Sequence, residues 1–140
     1  MPTILTNTGV TFPDSSTLSS APTGTVVGTT DTQTLTNKTF TGFKETVYAV
    51  TGTTPAISGA NGGIQTWTLS ASSTPTDSMS NGESVTLMIN DGSAQTVTWT
   101  SLVDQWIGGS APTLATSGYS VVVLWKQNNT VYAASVGDLS

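Results

Sequence analysis

The chain has no cysteine, no histidine and no arginine, and only three lysines. Each absence removes a class of function. Without cysteine there is no disulfide framework and no thiolate nucleophile, so redox chemistry says nothing about compartment. Without histidine or cysteine the usual transition-metal ligands are missing, and so is the commonest general base. Three lysines cannot form a stripe that neutralises phosphates, which disfavours nucleic-acid binding. No basic amphipathic stretch is present to lie on an anionic membrane. The longest apolar run, Val121-Val122-Val123-Leu124-Trp125, is far too short to span a bilayer. The start, Met1-Pro2-Thr3-Ile4-Leu5-Thr6, lacks the basic and apolar regions of a secretory signal.

What is present is hydroxyl-rich. About a third of the 140 residues are Thr or Ser, only 8% are charged, and the net charge is −5. Threonine is β-branched and favours strands, so this bias argues for an all-β chain. A hydrophobic content of 36% with low charge departs from the signature of disorder. The length suits one small domain plus an arm.

Residues 1–44 and 45–140 differ in kind. The first part has no Trp or Tyr, and its large apolar residues are scattered among Thr, Ser, Gly and Pro. They are too few for a core. This composition suits a flexible linker. Phe12, Leu35, Phe40 and Phe43 favour instead an extended β arm ordered by association, because linkers usually carry fewer large apolar residues. In a trimer these side chains from three chains would meet around one axis. The stretch Asp31-Thr-Gln-Thr-Leu-Thr-Asn-Lys-Thr-Phe40 has the alternation of a strand with two weakly apolar faces. Such a strand is best ordered by winding against identical copies.

The second part carries every Trp and Tyr. Period-two alternation predicts strands over Thr46–Thr51, Ile64–Ser70, Glu83–Asn90, Ala94–Thr100, Tyr119–Gln127 and Thr130–Val136. Gln65, Trp67 and Leu69 share one face, as do Val85, Leu87 and Ile89. Asn90-Asp91-Gly92 is a hairpin signal that would pair Glu83–Asn90 with Ala94–Thr100, and Asn128-Asn129 is a second turn. Tyr119–Gln127 is apolar on both faces and is expected to be central. Together these predict a small antiparallel β-sandwich with Trp67, Leu87, Trp99, Val123 and Trp125 buried. In the long Ser101–Gly118 connection, Trp106 is either a core plug or an exposed contact residue.

Candidate chemistry is sparse, and no enzymatic activity, cofactor or metal is expected. Asn90-Asp91-Gly92-Ser93 lacks the alternating oxygen ligands of a calcium loop. Ser–Lys pairs with Lys38, Lys44 or Lys126 are formally available but sit in no motif. The carboxylates fall mostly in turns. Gly59-Ala60-Asn61-Gly62-Gly63 is a loop before a strand and not a phosphate loop, because no Lys follows it. Exposed aromatic residues are the plausible recognition groups.

Several segments, taken in order, resemble virion appendage proteins of tailed bacteriophages. Residues 31–40 resemble a linker motif of tail fibres. Thr11-Phe12-Pro13-Asp14 is similar to a fibre segment in which Gly usually follows; here Ser15 does. ETVYAVTGTTP (45–55), QTWTL (65–69), ESVTLMINDG (83–92), GGSAPTLATSG (108–118) and YSVVVLWK (119–126) resemble a β module at the ends of such fibres. The resemblance implies a homotrimeric, non-enzymatic virion component. It would be a short fibre on the tail or neck, with an adhesive role toward a host-surface glycan or protein. A capsid decoration protein that stabilises the shell is the alternative. Partners would be identical copies and other virion proteins.

Overall fold

The structure, a computed structural model, describes residues 4–6, 9–11, 15, 17–18, 30, 34–90 and 94–139. The chain is β-rich with almost no helix. It divides into two compact units, Met1–Thr41 and Gly42–Ser140.

In the first unit, β1 (Ile4–Thr6), β2 (Gly9–Thr11) and β3 (Thr17–Leu18) form a three-stranded antiparallel sheet. Pairs such as Ile4↔Thr11 and Val10↔Leu18 set its register. Ser15 takes a φ of 69°, the left-handed conformation that glycine supplies more readily. Residues 34–40 of the linker-like segment form no strand, contrary to the alternation, and residues 31–33 lie outside the described part. Alternation is a property of side chains, whereas a strand is made by backbone pairing, which alternation does not supply.

The second unit is built on a six-stranded sheet in the order β4-β6-β8-β10-β11-β9. The strands are β4 (Val47–Val50), β6 (Ile64–Thr68), β8 (Ser84–Asn90), β9 (Gln105–Trp106), β10 (Tyr119–Gln127) and β11 (Thr130–Leu139). The sheet is mixed, not antiparallel. β4, β6 and β8 run parallel to each other, as do β9 and β11, whereas β10 is antiparallel to both neighbours.

Parallel neighbours need crossover connections. The two crossovers here carry the short strands β5 (Ala56–Ile57) and β7 (Thr76–Asp77), which pair with each other in parallel. Crossover handedness is nearly fixed, so two successive crossovers in one direction fall on the same face. Thr74 N donates to Thr53 O at 2.7 Å, Thr76 N to Pro55 O at 2.8 Å and Ser78 N to Ile57 O at 2.9 Å.

The 94–100 segment joins this second layer and does not hairpin with β8. Val97 bridges Ser73, and Ser73 exchanges backbone bonds with Thr96 and Thr98, each at 2.8 Å. The chain then turns into a 3₁₀ turn at Trp99–Ser101. The place beside β8 is held by β10, whose longer apolar strand aligns Leu124 with Val85 and Val122 with Leu87. Residues 91–93 of the expected hairpin lie outside the described part.

One hydrophobic core joins residues of the sheet with residues of its connections. Trp67, Val85, Leu87, Ile89, Val122, Leu124, Val131 and Ala133 come from the sheet. Ile57, Leu69, Met79, Trp99, Leu102 and Val103 close over them. Val123 and Trp125 are only half-buried, because the register points Val122 and Leu124 inward and alternation sends their neighbours to the other face. Asn128 and Asn129 adopt φ values of 49° and 60°, the paired positive values of a tight primed turn joining β10 to β11.

Trp67→Ala should destabilise the protein by about 3–5 kcal/mol, the range for removing a buried large aromatic. Trp125→Ala should cost about 1–2 kcal/mol, since it loses mainly its stack on Tyr132. Urea unfolding of the two variants checks the assigned register; equal losses would contradict it.

Candidate functional site

A cleft of about 650 Å³ opens beside the start of β4. Phe43, Lys44, Glu45, the 59–63 loop and Glu83 line it. Local chemistry fixes the loop. Ser58 Oγ accepts from Ala60 N at 3.2 Å and caps a short 3₁₀ turn, Gly59–Asn61. Gly62 closes that turn with a φ of 127°, and a Cβ there would lie 2.5 Å from the Thr46 carbonyl oxygen. The fully buried Gln65 ties the loop to β6, its Nε2 donating to Ser58 O at 2.7 Å and Gly62 O at 3.0 Å.

The Glu83 carboxylate accepts from Gly59 N at 2.9 Å and from Ser80 N at 3.0 Å. An intramolecular carboxylate thus occupies the amide that a phosphate loop would offer to its ligand. The glycine-rich stretch is a loop leading into a strand, as its sequence indicates. The cleft is a joint between the start of β4 and the two crossovers.

The lysine with the most defined surroundings is also structural. Lys126 forms an ion pair with Asp77, and its Nζ donates to Met79 O at 2.9 Å. That anchors the second crossover to the end of β10. No group of three or more potential metal ligands occurs among the described residues. Among them, no helix is long and apolar enough to cross a membrane.

The Ser101–Gly118 connection is tacked down along its length. Asp104 N donates to Val131 O at 2.9 Å, and Val131 N returns a bond to Asp104 Oδ2 at 2.7 Å. Ala115 N donates to the buried Ser120 Oγ at 2.6 Å, and that hydroxyl donates to Asp138 Oδ1 at 2.8 Å. Trp106 is half-buried and meets Trp99 edge to face, with ring centroids 5.4 Å apart. Of its two expected roles, the geometry matches the core plug. The exposed apolar residue of this connection is Ile107, 60% exposed.

The residues expected to join copies fall on both units. Phe12 lies outside the described residues. Leu35 and Phe40 belong to the first unit and Phe43 to the second; Phe40 and Phe43 are 67% and 73% exposed. Val47 and Tyr48 also face solvent on the edge strand β4. Tyr48 is one of the aromatic residues the sequence offers as recognition groups, whereas Val47 reads there only as a strand residue. No family model, curated protein or solved structure matches the chain.

Glu83→Ala should lower stability by about 2 kcal/mol, because two backbone donors lose a charged acceptor. Gly62→Ala should cost a similar amount, about 2 kcal/mol, through backbone strain. Chemical denaturation reads both. Losses below about 0.5 kcal/mol at both positions would show that the loop is not held as described.

Proposed function

We propose that the chain is a non-enzymatic structural protein of a phage virion, a short homotrimeric fibre on the tail or neck. The observation that carries this reading is the exposure of large apolar side chains around the end of the arm. Leu35, Phe40 and Phe43 are 41%, 67% and 73% exposed. Exposed groups of this size, close together in sequence, mark contact surfaces. The ordered set of fibre-like segments supports the virion assignment. The scarcity of titratable groups supports a role in scaffolding and adhesion over catalysis.

In this reading the mixed sheet and its covering layer form a small sandwich that stands outward. The arm docks on other virion proteins, adding to a partner's edge or groove. The loops Thr53–Gly63, Ser72–Gly82 and Ser101–Gly118, the last with the exposed Ile107, present the adhesive surface to a host glycan or protein.

Sedimentation at micromolar concentration should give three chains per particle; a single chain would sink the trimer. Deleting residues 1–30 should yield a soluble protein that no longer joins virions when it complements a phage lacking the gene. Incorporation at normal copy number would place docking in the β domain. Counting copies per particle separates the fibre, at a handful of trimers, from shell decoration, at hundreds.

A further inference from the structure

Strand alternation sends one side of every strand to the core, and the register states what remains on the other side. Across the outer face, Val47, Ile64, Thr86, Val123 and Ala134 form one continuous row. Met88 and Val121 stand opposite each other in the next row. At one end Trp125 stacks on Tyr132, with centroids 5.8 Å apart and planes 14° from parallel. Most of these side chains are half-buried by their neighbours within the sheet, and Val47 is 55% exposed.

The described charged groups of this unit lie elsewhere. Lys126 and Asp77 pair with each other, Glu83 serves the 59–63 loop, and Lys44 and Glu45 line the cleft. Asp104 and Asp138 bind Val131 N and Ser120 Oγ. We propose that this uncharged outer face is where copies of the chain pack against one another. The inference rests on the trimeric reading above and gives that trimer a contact surface in its β domain.

Three observations select a second copy as the occupant. First, the chain carries a net charge of −5, so copies repel over most of their surface. A face without ions lets them approach with no charge to desolvate. Second, the face runs without interruption into β4, an edge strand. Its sequence, Val47-Tyr48-Ala49-Val50, has none of the lysines, prolines or bulges that blunt edges in monomers. Third, the size is adequate. Five strands about 4.8 Å apart and about 20 Å long cover roughly 500 Å². Three such faces turned toward one axis remove roughly 1,500 Å² from water in the trimer, within the range of specific interfaces.

The test is sedimentation velocity of the full chain with and without Val123→Glu. Three chains for the parent and one for the variant, with the far-UV circular dichroism of the sheet retained, support the inference. A variant that still sediments as three chains overturns it and leaves the trimeric reading standing. A parent of one chain overturns both. If Val123→Glu fails to fold, Thr86→Cys supplies a single thiol in a cysteine-free protein. Its maleimide labelling should be at least ten-fold slower than that of Thr54→Cys, which is on an exposed loop. Equal rates overturn the inference. Slow labelling in a particle of one chain places the chain's own segment on the face and overturns the second copy as occupant.

Discussion

One constraint governs the β domain: the inward side of β8, β10 and β11 must be covered. Val85, Leu87, Ile89, Val122, Leu124, Val131 and Ala133 are each at most 1% exposed. A sheet cannot bury its own face, so the connections have to do it. The two crossovers supply Ile57, Leu69 and Met79, and the segment after β8 supplies Trp99, Leu102 and Val103. Segments that look like ordinary loops therefore contain much of the core. Their backbone bonding follows, because a buried connection must satisfy its amides. The parallel ladder between 53–57 and 73–78, and the bridge from Ser73 to Val97, are that satisfaction.

Much of the strand content was legible because period-two alternation is local. The predicted β10, Tyr119–Gln127, is the strand observed, and the inward triad of β8 is the one the pattern selects. Asn128-Asn129 announced its turn through residues that tolerate positive φ. What alternation cannot carry is the partner. Val97 and Trp99 alternate as convincingly as a hairpin strand would, yet the chain places them in the covering layer. The face of β10 was equally hidden. With apolar residues on both sides, its pattern is consistent with either inward set, and only the pairing with β8 chooses Val122 and Leu124.

The candidate site divides along the same line. Glu83 and Lys126 were legible as charged residues near turns, but their work depends on contacts between elements far apart in sequence. Glu83 reaches back to Gly59, and Lys126 to Asp77. Trp106 was placed in the right connection, and its contact with Trp99 resolves which of two roles the geometry gives it. The arm residues Leu35, Phe40 and Phe43 were picked out by size against a small-residue background, and all three are exposed in the single chain. The outer row from Val47 to Ala134 was beyond reach, since it exists only once five strands are in register.

The position of β4 also carries a mechanical meaning. It is the strand that receives the chain from the first unit, it sits at the edge, and among the described residues it pairs only with β6, over four residues. Of its side chains only Val50 is buried. Tension arriving along the polypeptide from the amino-terminal side meets this strand before any other part of the sheet. Peeling it away extracts one core residue and leaves the β8–β10–β11 centre intact. At about 3.3 Å of extended length per residue, releasing four residues adds roughly 13 Å of slack. The sheet's first response to such a load is therefore a short lengthening at its edge, with β6 left as the template for re-pairing.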